Sequence, residues 1–180
     1  IGVLAKTKNP KYLPLFEIGI NAVSTSVKGN SLSGIAQVAP ETVVNYAEKI
    51  DLESASEDLV MTLLPVIVKN KITAQMPNIA SLVAFYPFIG FQNPKLAAPA
   101  EEGFNWIMDS DNTKAVHNLT KVLGQEKSQI GDNVQAKMMI VQMLKKGLER
   151  KMKLFRENPS STSLNTQIEM LNKAITSYSN

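Results

Sequence analysis

Apolar residues recur every three to four positions along most of the chain, which is the spacing of one face of an α-helix. The clearest run predicts a helix from about Asn133 to Arg156. Its apolar stripe comprises Val134, Met138, Val141, Leu144, Leu148, Met152 and Phe155. The last predicted helix carries Leu164, Ile168, Leu171, Ile175 and Tyr178 on one face. No segment alternates apolar and polar residues with a period of two, so no β-strand is predicted.

Proline residues divide the first third of the chain into shorter predicted helices. Pro14 disfavours helical geometry at the residue before it, so a regular helix is expected to begin close to Pro14. Pro40 followed by Glu41 is typical of a first helical turn, and this helix is predicted through about Ile50. The segment 54–71 is apolar nearly all round, which is typical of a buried helix.

The rest of the chain also favours helices separated by short breaks. An apolar segment covers 73–88, and the cluster YPFIGFQNPK over 86–95 predicts a break. A helix is predicted over 94–108, and Asn112 is expected to cap the next one. The stretch GQEKSQIGDN over 124–133 is predicted to be a loop.

This pattern predicts an all-α fold of about eight or nine helices. Consecutive helices joined by short turns pack antiparallel, and repeating that arrangement yields a HEAT/armadillo-like helical-hairpin solenoid. No long Gly/Ser-rich or Pro-rich linker interrupts the chain, so residues 1–180 are predicted to be one domain.

Composition excludes several classes of function. Hydrophobic residues make up 44% and charged residues 19% of the 180 positions, which is ordinary for a globular protein. A net charge of +3 is too small to indicate nucleic-acid binding. The chain has no cysteine, which excludes disulfides, cysteine–zinc sites and a thiol nucleophile. No run of apolar residues reaches the length of a transmembrane helix, so no membrane insertion is expected.

The ionisable residues offer little for catalysis. A zinc hydrolase needs two histidines one helical turn apart with a glutamate between them, whereas this chain has only His117. His117 is therefore interpreted as a surface or core histidine. Glu101 and Glu102 are adjacent, so on a helix they point in different directions and do not form an acid–base pair.

Two short motifs resemble sequence motifs of proteins that bind or transfer phosphate groups. DSDNT over 109–113 resembles the nucleophile loop of haloacid-dehalogenase-type phosphatases, in which the first Asp attacks phosphorus. That loop follows a buried parallel strand, and the preceding GFNWIM is too short and too poor in β-branched residues. We therefore predict a helix–helix turn in which Asp111 or Asn112 caps the next helix. A phosphatase built on Asp109 and Asp111 is kept as an alternative function and ranks third, after the two functions given at the end of this section.

GNSLSG over 29–34 has the two glycines of a phosphate loop. However, Ile35 stands where the motif requires a lysine, and no strand precedes it. We interpret the small residues as the place where two helices approach closely.

The basic run KKGLERKMKLFRE over 145–157 is the strongest electrostatic feature, with six positive and two negative side chains. Most of its basic residues lie opposite the stripe that contains Leu148, Met152 and Phe155. A solvated outer face is the first interpretation, and an acidic partner surface is the alternative.

The opening of the chain resembles a known family. VSTSVKGNSLSGIAQVAPE is similar to the second helix of a HEAT-type repeat, with Val27 and Ile35 at apolar positions and Lys28, Ser31 and Gly34 replacing the usual arginine and alanines. NPKYLPLFEIGINAVS resembles the first helix of that unit. With KNKITAQMPNIASLVAFYPFIGFQNP and the long helix ending KLFRENP, the whole chain resembles the C-terminal helical domain of bacterial M1-family zinc aminopeptidases.

That resemblance implies a supporting role. Members of the family remove N-terminal residues from peptides with a zinc ion bound by an H-E-x-x-H helix and a later Glu, and a G-x-M-E-N loop holds the substrate's amine. None of these motifs occurs here, so they are expected to precede Ile1, and no catalytic, cofactor-binding or metal-binding residue is assigned. The chain would be one piece of the parent enzyme, which is expected to be soluble in the bacterial cytoplasm or periplasm.

Two functions from different classes follow. In the first, the chain contacts the parent's own catalytic domain and restricts the access of peptide substrates to the zinc site. The alternative is a stand-alone HEAT-type scaffold that binds a protein or peptide partner.

Overall fold

The protein, seen in a computed structural model that describes residues 1–47, 52 and 57–179, is mostly helical in the described parts. These residues form eleven α-helices and no β-strand, which confirms the predicted all-α class. Eight of the helices are long, and the other three are short, which is why the sequence suggested fewer. The HEAT/armadillo-like repeat arrangement stays a prediction.

The chain divides into two compact units, residues 1–78 and 79–180. The prediction of one domain over 1–180 stays a prediction. The helices of the first unit are α1 (Gly2–Lys6), α2 (Leu13–Ile20), α3 (Thr25–Val38), α4 (Val43–Ala47) and α5 (Glu57–Lys69). The next helix, α6 (Met76–Val83), contains the boundary between the units.

Small residues let α2 and α3 approach closely in the first unit. A Cβ atom added to Gly34 would lie 2.7 Å from Cε1 of Phe16, whose side chain is fully buried. A Cβ on Gly19 would lie 2.1 Å from the Ser31 hydroxyl. The interpretation of GNSLSG as a helix-packing segment is therefore confirmed.

The helices predicted in the rest of this unit are found with changed limits. The segment predicted from Pro40 forms a turn and then α4, which begins at Val43, and residues 48–50 lie outside the described residues. α5 continues through Pro65. Its buried apolar side chains are Val60, Leu63, Leu64, Ile67 and Val68, so the prediction of a buried helix is confirmed.

The second unit contains α7 (Tyr86–Gln92), α8 (Pro94–Met108), α9 (Thr113–Ile130), α10 (Val134–Glu157) and α11 (Thr162–Ser179). α8 packs against α7 and α10, and α11 packs against α9 and α10. The predicted bounds of α8 are confirmed, and those of α10 are confirmed to within one residue at each end.

Two predicted breaks are wrong. The segment 86–95 contains α7, which has a proline in its first turn, where no backbone donor is lost. The ring of Tyr86 packs against Phe104 with centroids 5.1 Å apart. The predicted loop 124–133 is mostly helix, because α9 continues to Ile130 and ends at Gly131, whose φ of 54° suits glycine. Packing on neighbouring helices therefore overrides local breaking signals in both places.

The predicted apolar stripe of α10 is only partly buried. Leu144 is buried, but Val134, Met138 and Met152 are 68%, 55% and 41% exposed. The buried residues of α10 are Ile140, Met143, Leu144, Gly147 and Lys151. Gly147 belongs to this face because a Cβ there would lie 2.8 Å from the sulfur of Met108 on α8. A pattern of apolar residues does not detect a contact made by glycine and lysine.

Candidate functional site

The motif DSDNT lies in the turn between α8 and α9. Asp109 is the residue at which α8 ends, and Asn112 is the N-cap of α9. The side chain of Asn112 accepts a hydrogen bond from the backbone N–H of Ala115 at 2.9 Å. The predicted helix–helix turn is confirmed, with Asn112 as its cap. The phosphatase alternative is wrong, because a helix and not a strand leads into Asp109.

Asp109 is held by an arginine on α10. Nη1 of Arg150 donates to both carboxylate oxygens of Asp109, at 2.8 and 2.7 Å. Both side chains are about half exposed, so this ion pair is worth at most about 1 kcal/mol. Arg150 belongs to the basic run that was predicted to be a solvated outer face. Its contact with Asp109 joins α10 to the C-terminal end of α8.

Asp111 joins the turn to α11. Its Oδ1 accepts hydrogen bonds from the Ser163 hydroxyl and from Nε2 of Gln167, the latter at 2.7 Å. Gln167 is fully buried, and the same Nε2 lies 3.1 Å from Oγ1 of Thr113. Among the described residues, Oε1 of Gln167 has no hydrogen-bond partner. The turn is therefore fixed to α11 by a buried amide rather than by apolar contact alone.

Lys151 reaches the same turn from α10. Its side chain is fully buried, and Nζ donates to the backbone carbonyls of Ile107, at 3.1 Å, and Ser110. The Ile107 carbonyl lies in the last turn of α8 and also accepts hydrogen bonds from the backbone N–H and the hydroxyl of Ser110, at 3.3 and 2.8 Å, whereas the Ser110 carbonyl lies in the turn after α8. Burial lowers the pKa of Lys151 to about 8, and the charges of Asp111 and Asp109 oppose this effect.

Together these side chains form what we term the turn cluster: Asp109, Asp111, Arg150, Lys151 and Gln167. A buried lysine with a lowered pKa beside two carboxylates is the kind of arrangement found at catalytic sites. Here, however, each charged group of the cluster already bonds a residue of another element. The arrangement holds α8, α9, α10 and α11 at one turn.

The sequence motif selected two of the five residues of this cluster. Asp109 and Asp111 were selected by their motif. Arg150 and Lys151 were assigned to the solvated basic run, which is wrong for the buried Lys151, and Gln167 was missed. The available signal was helical spacing: Lys151 lies four residues after Gly147 and seven after Leu144, which places it on the buried face of α10. That spacing becomes informative only once the buried face is known.

The other ionisable candidates lie at the surface. His117 is exposed on α9, as one of its two interpretations predicted, and Glu101 and Glu102 are exposed on α8. Across residues 1–47, 52 and 57–179, no three His, Cys, Asp or Glu side chains come together in a way that could hold a metal ion. The zinc ion implied by the family resemblance therefore has no ligand set among these residues.

Removing the carboxylate of Asp111 is expected to loosen the turn cluster. Asp111→Ala removes the acceptor that the buried Gln167 and Ser163 share, and should lower the free energy of unfolding by about 1–2 kcal/mol. Asp132→Ala removes an equally exposed carboxylate from the turn before α10 and should change it by less than about 0.5 kcal/mol. Urea unfolding followed by the fluorescence of Trp106 measures both. Equal effects of the two substitutions would show that the Asp111 contacts contribute nothing to stability.

No part of the described chain forms a helix that combines the length and the apolar character needed to cross a bilayer. Comparison of the sequence and structure with models of protein families, with curated proteins and with solved structures found no match.

Proposed function

We propose that this chain is a non-catalytic helical domain of a zinc aminopeptidase, in which it packs against the catalytic domain and limits which peptides reach the zinc ion. The resemblance of the opening helices to the C-terminal domain of M1-family enzymes supports this proposal, and an all-α fold agrees with it.

The turn cluster is the observation that carries the non-catalytic part of the proposal. Lys151 bonds two backbone carbonyls, Asp109 bonds Arg150, and Asp111 bonds Ser163 and Gln167. Groups used in this way support helix positions rather than a substrate. The residues that most resembled catalytic groups in the sequence therefore have a structural explanation.

A domain of this kind contributes to catalysis by shaping the space around the reaction. Covering a catalytic domain narrows the entrance, so that short or unfolded peptides pass and folded chains do not. It also helps to exclude water from the closed site, which strengthens the electrostatic interactions there. Zinc would be bound by residues of the parent that this sequence does not contain.

The test compares this chain with the polypeptide that contains it in the cell. Hydrolysis of leucine p-nitroanilide and zinc content by mass spectrometry are measured on both. We expect the parent to bind about one zinc ion and release p-nitroaniline, and the 180-residue chain to do neither. Turnover by the chain alone would contradict the non-catalytic role, and a parent without zinc and turnover would contradict the aminopeptidase assignment.

A stand-alone HEAT-type scaffold is the second candidate. The pairing of α2 with α3 and of α10 with α11 through short connections is what a helical-hairpin repeat requires. Isolation of the native protein separates the two candidates, because a scaffold would be found without an H-E-x-x-H segment in the same polypeptide.

A further inference from the structure

One face of α10 carries an exposed apolar stripe that the second unit does not bury completely. We term it the α10 seam: Val134, Met138, Val141, Lys145, Leu148, Met152 and Phe155. Val134, Met138 and Met152 are the exposed members named above, and Val141, Leu148 and Phe155 are half-buried. The buried residues of α10 include Ile140 and Gly147, which lie on another side of the helix.

The spacing of the seam is that of a coiled coil. Its members are separated alternately by four and three residues over three heptads, a period of 3.5. A core-facing stripe of a single helix follows a period of 3.6 and needs no such regularity. From Val134 to Phe155 the seam is about 32 Å long, which a partner helix of roughly 20 residues would cover.

Charge determines what kind of helix fits. Lys145 lies inside the seam, and Lys137 and Arg156 occupy helix positions directly beside it, whereas Lys146 and Lys153 lie on the other side of the helix. Glu149 also lies beside the seam, so the seam and its edges carry the positive side chains Lys137, Lys145 and Arg156 against one carboxylate. A lysine at a coiled-coil core position favours a partner with a carboxylate opposite it.

A second copy of this chain is a poor occupant for the same reason. In a parallel pair, Lys145 would face the Lys145 of the other copy. In an antiparallel pair aligned about the midpoint of the seam, the Lys145 side chains of the two copies would again lie side by side. Like charges at the centre of such an interface are unfavourable.

A membrane surface is also a poor occupant. Helices that lie in a membrane interface carry a wide apolar face, whereas the seam is narrow and has Lys145 at its centre. We therefore propose that the α10 seam binds an acidic amphipathic helix of a protein partner, with a carboxylate placed opposite Lys145. This proposal stands on α10 alone and does not depend on the aminopeptidase assignment.

The first experiment measures binding of a designed probe by fluorescence anisotropy. The probe is a fluorescein-labelled peptide of three heptads with leucine at the core positions, except for one glutamate placed opposite Lys145, and with glutamate beside the core. The control peptide has the same composition, with its leucines spread around the helix. We expect the full 180-residue chain to bind the probe with a Kd in roughly the micromolar range, more weakly as NaCl is raised, and not to bind the control.

Matched variants place the binding on α10. Met138→Glu combined with Met152→Glu should weaken probe binding by at least about tenfold, because both side chains lie in the seam. Val23→Glu changes an equally apolar but fully exposed residue of the first unit and should leave binding unchanged. All three substituted side chains are exposed, so we expect the variants to fold, and circular dichroism checks this.

Charge exchange tests the role of Lys145. Lys145→Glu should weaken binding of the glutamate probe and improve binding of a probe with lysine at the same positions. Lys173→Glu on α11 removes a similar exposed charge and should do neither.

Four results would overturn the proposal. The first is the absence of probe binding, and the second is equal binding of the control peptide. The third is sedimentation with vesicles of phosphatidylcholine and phosphatidylserine that the Met138/Met152 double variant abolishes, which would identify a membrane surface. The fourth is a dimer in light scattering that the same variant dissociates, which would identify a second copy.

Discussion

Gly34→Ala is expected to destabilise the first unit by about 2–3 kcal/mol, although alanine is the better helix former. The added Cβ would lie 2.7 Å from Cε1 and 2.8 Å from Cγ of Phe16, well inside van der Waals contact. The ring of Phe16 is fully buried, so it cannot swing into solvent to make room. Either α2 and α3 move apart or the ring leaves its rotamer, and both cost free energy.

Gly124→Ala is the matched control, because Gly124 also lies inside a helix. Nothing lies within 4 Å of a Cβ built there, so only the helix propensity of α9 changes. This substitution should stabilise the second unit by about 0.5–1 kcal/mol. Urea unfolding followed by circular dichroism and by hydrogen exchange of α2 and α3 measures the pair. A Gly34→Ala protein as stable as the original would contradict the close approach of the two helices.

The stability contributed by Lys151 is expected to rise with pH, which is unusual for a charged residue. Its pKa is about 8 in the folded chain and 10.5 in its ordinary environment. Between these values the unfolded chain binds more protons than the folded chain, so unfolding takes up a proton and becomes less favourable as pH rises. The difference in unfolding free energy between the original protein and Lys151→Met should therefore increase by about 3 kcal/mol from pH 8 to pH 10.5.

The comparison with Lys151→Met isolates this residue, because the tyrosines that titrate at high pH are common to both proteins. Methionine keeps the apolar part of the side chain and removes the amine. The loss of the hydrogen bonds from the amine to the two carbonyls changes the unfolding free energy by the same amount at every pH, so it does not alter the pH dependence. The difference should be constant below about pH 7, where Lys151 is protonated in both the folded and the unfolded chain. A difference that is flat up to pH 10.5, or that falls, would show that the Lys151 amine is not held in the buried environment described for it.

The sequence predicted features that depend on neighbours along the chain. Asn112 caps α9 because its side chain needs only the N–H of Ala115, three residues later. The start of α8 follows from Pro94 at its first position. Local signals failed where residues distant in sequence contributed. α9 continues past Gly124 because it packs against α11: Nζ of Lys127 donates to the backbone carbonyl of Ser177, and the hydroxyl of Tyr178 donates to the backbone carbonyl of Leu123.

The candidate site divides in the same way. Asp109 and Asp111 were recognised from their motif, but their roles depend on distant hydrogen-bond donors. Arg150 lies 41 residues from Asp109, and Ser163 and Gln167 lie 52 and 56 residues from Asp111. Nothing in a single sequence reports which distant donor reaches a carboxylate. The third alternative, a phosphatase, could be discarded only when the element before Asp109 was known to be a helix.

By itself the sequence determined the all-α class, the position of most long helices and the cap of α9, because these depend on periodicity and on hydrogen bonds between near neighbours. Only the tertiary structure decided which face of α10 is buried. The apolar stripe Val134, Met138 and Met152 was the stronger signal, yet α10 packs with Gly147 and Lys151 inward. The close packing of Gly147 against α8 and the hydrogen bonds of Lys151 to two backbone carbonyls outweighed the burial of those three side chains, which remain exposed.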